Sequence, residues 1–196
     1  MYQNKEKRAI LLGMAIGNGY ISDYKNKFRL IIRHGKSQKE YLEYKKILLE
    51  DIFGRNISEI EVQNGIQISI QNNKLFRIYR KWLYVRREKK VSRVLKYLNI
   101  QSIALWYMDD GSLTAKKIRN KIHGYELTLN TYVDREENQK IIDWFLNKYS
   151  IRFTQTKGKG KYRLRMGTKE ARKFIELIKD YIHPSMLYKI RIDNKY

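Results

Sequence analysis

The chain carries one order of elements twice, and that repeat limits the folds open to it more than any other feature. Residues 10–19 read Ile-Leu-Leu-Gly-Met-Ala-Ile-Gly-Asn-Gly, and residues 103–111 read Ile-Ala-Leu-Trp-Tyr-Met-Asp-Asp-Gly. Each is an apolar stretch of helical length that closes on a polar residue and a glycine. Asn18 and Asp110 therefore stand at the same place in two copies. An alternating strand follows each (28–33, then 125–130), then an amphipathic helix (39–53, then 134–149), a second strand (65–70, then 161–166) and a closing helix (74–84, then 169–181). Agreement of five successive elements at matched spacing defines a two-fold pseudo-repeat. The expected fold is α+β, with an N-terminal half (1–85), a linker (86–100) and a C-terminal half (101–196).

Strict alternation gives each strand one apolar and one polar face. Phe28, Leu30, Ile32, Ile66, Ile68, Ile70, Tyr162, Leu164 and Met166 are expected to point inward. Arg29, Arg33, Gln67, Ser69, Gln71, Lys161, Arg163 and Arg165 point outward, and the same alternation turns Glu126, Thr128 and Asn130 to one face. A solvated sheet face is the commoner reason for such a pattern. Side chains of these types also suit phosphates and base edges, Arg pairing with guanine and Gln with adenine.

Charge favours the second reading. Lys and Arg total 42 against 20 acids, a formal net charge of +22. Such self-repulsion opposes folding and serves a polyanionic partner. The basic residues run through the whole chain, with no helix setting them against a clean apolar face, which favours nucleic acid over a membrane surface. No Cys and only 3 His exclude a disulfide scaffold and a Cys/His zinc module. Lys or Arg interrupts every apolar run before membrane-spanning length. The opening MYQNKEKRAI leads into no signal-peptide pattern. A folded intracellular protein is expected, in a bacterial cytoplasm or an organelle.

The stretch 10–17 is apolar all round, so it belongs inside the protein. Gly13 and Gly17 share one face and let a second backbone approach, the natural partner being 103–108. Side-by-side packing would bring positions 18 and 110 together at the bottom of a basic saddle. A carboxylate beside DNA phosphates repels them unless a divalent cation lies between, so Asp109-Asp110 reads as an oxygen-ligand site suited to Mg²⁺. Asp-Asp-Gly is also an ordinary turn sequence.

These two motifs resemble the paired signatures of single-chain LAGLIDADG homing endonucleases of the intron-encoded type. Glu126-Leu-Thr-Leu-Asn-Thr131 and His183-Pro-Ser-Met-Leu-Tyr-Lys189 extend the resemblance over nearly the whole chain. It implies two αββαββα halves with the motif helices at the central interface and antiparallel sheets forming a saddle over DNA. The implied reaction is hydrolysis of both strands of a long asymmetric target with Mg²⁺ or Mn²⁺. Carried over by position, Asp110 is the metal-binding acid, and Gly17 and Asp109 lend backbone carbonyls. Lys189 matches one assisting base; Lys90 is its counterpart, with Lys89 a rival.

Two positions depart from the family pattern. Asn18 stands where the family has Asp, and an amide lacks the charge that anchors a cation. An inactivated variant, an enzyme that nicks, and a protein that kept binding alone all fit this substitution. Leu105 stands where the first motif has Gly13, so close packing must come from Ala104 or from a shifted register. Besides the endonuclease, two other functions remain open: an RNA-binding maturase for a host intron, and a sequence-specific DNA-binding protein without catalysis. The internal two-fold predicts a monomer.

Overall fold

The structure, a computed structural model, describes residues 4–86, 88–158 and 160–192. The outermost residues of the expected halves (1–3 and 193–196) and residue 87 of the expected linker lie outside these. Helix α1 (Lys5–Ile16) leads to strands β1 (Gly19–Tyr24) and β2 (Lys27–His34), helix α2 (Lys39–Phe53), strands β3 (Glu59–Val62) and β4 (Gly65–Gln71), and helix α3 (Asn73–Leu83). A short ribbon, β5 (Tyr84–Val85) with β6 (Glu88–Lys89), and two 3-10 turns carry the chain to α4 (Ile100–Asp110). The order then repeats: β7 (Gly111–Ile118), β8 (Lys121–Val133), α5 (Arg135–Tyr149), β9 (Thr154–Gly158), β10 (Lys161–Gly167) and α6 (Thr168–Ile178). A last 3-10 segment, Pro184–Lys189, closes the second half.

Both sheets are antiparallel, in the orders β1-β2-β4-β3 and β7-β8-β10-β9. The fold is thus α+β, two pseudo-symmetric αββαββα halves. Local chemistry sets the boundaries. Asn4 caps α1 through the N–H groups of Glu6 and Lys7, Asp134 caps α5, and Asn99 with Ser102 forms a reciprocal capping box on α4. Lys25-Asn26 and Arg119-Asn120 supply the paired positive φ angles that two-residue hairpins require, at the same place in each half.

Phe28, Leu30, Ile32, Ile66, Ile68, Ile70, Leu164 and Met166 are buried beneath the helices, as the alternation predicts. Tyr162 keeps its place in the alternation of β10 but is only half-buried, lying beyond an irregularity at which residues 130–132 of β8 break the pairing with β10. In the second half Trp106, Phe145, Phe153 and Phe174 build an aromatic core around α4 and α5.

The halves meet along α1 and α4, whose central residues are buried on every side. Gly13 faces Ser102, so close that a Cβ there would lie 2.7–2.8 Å from the Ser102 backbone and side chain. The register has shifted: small Ser102, rather than Ala104, answers Gly13 across the interface and leaves room for Leu105. Helix α2 of the first half also reaches across, its Tyr41 hydroxyl donating to the Leu105 carbonyl at 3.2 Å and its Tyr44 ring stacked on His183.

Candidate metal and nucleic-acid site at the paired helix ends

Both central helices end where a sheet begins: Asn18 directly precedes β1 and Asp110 directly precedes β7. The last carbonyls of a helix have no partner within it and carry the negative end of its dipole. Two lysines meet them, half-buried Lys89 of the linker at α1 and buried Lys189 at α4. The Lys89 ammonium donates to the carbonyls of Gly17 at 2.8 Å, Gly19 at 2.9 Å and Ile16 at 3.3 Å. Lys189 does the same for α4, donating to Met108 at 2.6 Å and Asp109 at 3.4 Å. Burial lowers both ammonium pKa values, that of Lys89 to about 8 against the pull of Asp110 and Asp109.

The two polar positions differ. Asn18 is exposed. The Asp110 carboxyl is pushed up to about 7, first by burial and then by the neighbouring Asp109, while Lys89 and the Trp106 side chain pull it down. Its side chain forms no ion pair among the described residues. The Asp110 main-chain carbonyl accepts from the Asn130 amide at 2.9 Å.

The Asp109 carboxylate turns away from this opening. Its side chain is wholly buried, with Oδ1 at 2.5 Å from the Lys45 ammonium and Oδ2 accepting the Asn18 N–H at 2.9 Å. Lys45 also donates to His34 Nε2 at 3.1 Å. Burial and the Lys45 charge lower His34 to about 4, so the ring is neutral and its Nδ1–H donates to Gln38 Oε1 at 2.8 Å. Of the Asp109-Asp110 pair, only the second carboxylate is open to a cation; Asp109 offers its backbone carbonyl alone.

Lys90 lies apart from this centre. Its ammonium pairs with Asp134 at 2.7 Å and Glu88 at 3.6 Å, and Lys89 occupies the place expected of it. The strand β6 explains the choice, since alternate residues point to opposite sides and a one-residue offset exchanges them. Lys45 and His34 were not anticipated. A signal existed: Lys45 falls on the apolar stripe of α2 with Tyr41, Leu42, Leu49 and Ile52.

The expected DNA-contacting residues divide into two groups. Arg29 and Gln71 face each other across β2 and β4, with a 3.1 Å hydrogen bond from Arg Nε to Gln Oε1. Arg33 and Gln67 repeat the pairing at 3.0 Å, and Ser69 lies opposite Ile31 between them. This face presents mostly N–H donors. In the second half Glu126 is held by Lys116 at 3.1 Å and Arg165 at 3.5 Å. Lys161 is tied to Glu88 at 2.9 Å, and Arg163 is half-buried with its Nε unpartnered. Thr128 is only 5% exposed with its hydroxyl 2.6 Å from Ser112, and Asn130 is engaged with Asp110. These two support the site from below.

Residues 8–174 match the LAGLIDADG DNA endonuclease family. Among curated relatives, a RecA protein of Mycolicibacterium fallax is 28% identical over 192 residues, covering 92% of this chain and 45% of that protein. The chain thus spans less than half the length of that relative. A probable intron-encoded DNA endonuclease of Mycosarcoma maydis is 34% identical over 98 residues, 50% of this chain and 67% of its own length. Among solved structures, the homing endonuclease I-WcaI bound to its DNA recognition sequence superposes with a TM-score of 0.80 at 22% identity, covering 97% of this chain and 88% of that one. I-DmoI in complex with DNA and Mn superposes with a TM-score of 0.58 at 18% identity, over 89% and 96% of the two chains. No helix among the described residues is long and apolar enough to cross a membrane. With its paired helix ends, twin sheets and a family match over most of its length, the chain belongs to the LAGLIDADG DNA endonuclease family.

Proposed function

We propose that the chain is a site-specific homing endonuclease that hydrolyses a long, asymmetric duplex DNA target with Mg²⁺ or Mn²⁺, and that it cuts one strand faster than the other. One observation carries the reading. Two helix ends at corresponding positions, each met by a lysine ammonium, present a carboxyl group at Asp110 and a neutral amide at Asn18.

The residues present fit a hard cation. Asp110 offers an unpaired carboxylate held at about 7, and oxygen donors suit Mg²⁺ or Mn²⁺. The Gly17 and Asp109 carbonyls and the Asn18 amide oxygen complete the set this chain can offer. No cluster of three or more His, Cys, Asp or Glu gathers among the described residues, so further ligands would come from DNA phosphate and water. A divalent cation bound there supplies Lewis-acid charge to the phosphate and a more acidic water. Lys89 and Lys189 hold the carbonyls in place and set positive charge beside the position of the scissile phosphates. Arg29, Arg33, Gln67, Ser69 and Gln71 contact the DNA from the first sheet, and Arg163 and Arg165 from the second, with Lys161 and Glu126 at its margin.

The test uses supercoiled plasmid carrying the insertion-site DNA of the host gene. Nicked product in Mg²⁺ from the chain as it stands, and linear product from Asn18→Asp, is the expected result. Binding in Ca²⁺ without cleavage by either protein in Mg²⁺ would overturn the catalytic reading and leave a DNA-binding protein. Preference for structured intron RNA in a competition shift assay would point instead to a maturase.

A further inference from the structure

The two central helices do not end alike. Helix α4 continues through Asp110, whereas α1 stops at Ile16. The Gly17 N–H still reaches back to Gly13 at 3.3 Å, but the Asn18 N–H has left the helix. Asp109 of the other half supplies its acceptor, Oδ2 at 2.9 Å. The carbonyl of the same peptide bond accepts from Lys89 at 2.8 Å. The Gly17–Asn18 peptide is therefore gripped at both edges, by a lysine of the linker and a carboxylate of the second half. Gly17 permits the grip, since a Cβ there would collide with the Asp109 carboxylate.

A buried carboxylate at the C-terminal ends of two helices lies against the negative ends of both dipoles. It persists only with a cation beside it, and Lys45 provides one at 2.5 Å, backed by His34. Counting from the first residues of two helices of equal length, Lys45 of α2 corresponds to Ile141 of α5. Position 109 itself corresponds to Gly17. The pseudo-symmetry is broken at both places together, so the lysine is there for the carboxylate.

We infer that Asp109 is a positioning residue acting across the interface: anchored by Lys45 and His34, it fixes the Gly17–Asn18 peptide, and with it the first of the two centres. This rests on the endonuclease reading for its catalytic consequence, but not for its structural one. It assigns Asp109 a task that no metal need share.

The test compares two double variants that remove both buried charges, Lys45→Met with Asp109→Ala, and Lys45→Met with the near-isosteric Asp109→Asn. Only the second retains an oxygen able to accept from Asn18. In ¹⁵N-labelled protein without metal or DNA, the Asn18 amide proton should move upfield and exchange roughly tenfold faster or more in the alanine variant, and recover in the asparagine variant. In an Asn18→Asp background, the strand assigned to the first centre is the one whose cutting that substitution accelerates. Its single-turnover rate should fall roughly ten- to hundredfold with alanine and recover with asparagine, while the other strand changes less than about twofold. An Asn18 amide indifferent to residue 109, or equal slowing of both strands, would overturn the assignment. If neither strand is cut even by the Asn18→Asp protein, the endonuclease reading fails, and the amide measurement alone decides this one.

Discussion

Replacing Asp110 by Asn should stabilise the metal-free protein, and by an amount that depends on pH in a defined way. The Asp110 carboxyl titrates at about 7 in the folded chain against an ordinary value of 3.8, raised by burial and by Asp109. The folded state therefore holds this proton across a range in which the unfolded chain has lost it. Native protein binds more protons there, so the Asp110 contribution to stability falls as pH rises from about 4 to about 7 and is constant above. A shift of about three pKa units at 1.36 kcal/mol each is worth about 4 kcal/mol in full. About 3 kcal/mol of it should appear between pH 4.5 and 8. Urea unfolding of both proteins in EDTA, repeated across that range, isolates the term, because other groups cancel in the difference. The expected outcome is an advantage for Asp110→Asn that grows by roughly 3 kcal/mol with rising pH. Saturating Mg²⁺ should narrow it, since a bound cation stabilises only the folded parent. A difference that stays flat with pH would refute the idea that Asp110 is held as a desolvated, destabilised acid.

Three other comparisons test separate parts of the structure. Gly17→Ala drives a methyl group into the Asp109 carboxylate, and should cost about 2 kcal/mol or more in chemical unfolding. Lys89→Met strips the donor from three carbonyls at the end of α1 and should cost about 1–3 kcal/mol, whereas Lys90→Ala should change stability by less than about 1 kcal/mol. Equal costs in a denaturant titration would contradict the lysine assignment. Removing Arg29 and Arg33 together should weaken target binding and reduce the slope of log K against log salt by about 2, read by fluorescence anisotropy; loss of affinity at constant slope would mean that neither reaches a phosphate.

Much of this architecture is legible in the sequence because it depends on periodicity. Ile66, Ile68 and Ile70 alternate with Gln67, Ser69 and Gln71, and only one face of a sheet can then be buried. The motif helices announce their burial by carrying no polar side. What escaped the sequence depends on single-residue geometry. Tyr162 keeps the alternation of β10 yet is only half-buried where residues 130–132 of β8 break the pairing beside it, and no alternation rule contains such a break. Lys89 and Lys90 are chemically identical neighbours at the end of a strand two residues long, so only the backbone says which one faces the helix ends. The direction of the Asp109 side chain followed from Gly17 and Ser102 allowing the helices to close up, which sets the register. Lys45 was the most readable omission, a cation on an apolar stripe, which is stable only with a buried anion opposite it.

That one ion pair also makes the two halves chemically distinct mating surfaces. The lysine belongs to the first half and the carboxylate to the second, so each carries a charge that only the other neutralises. Two second halves brought together would press a pair of carboxylates between helix ends with Ile141 beside each, and no ammonium from either helix to receive them. Two first halves would leave a pair of lysines facing glycines. Breaking a buried pair in this way costs about 3–5 kcal/mol for each charge stranded. The pair therefore favours docking of one half on the other over docking of either half on a copy of itself.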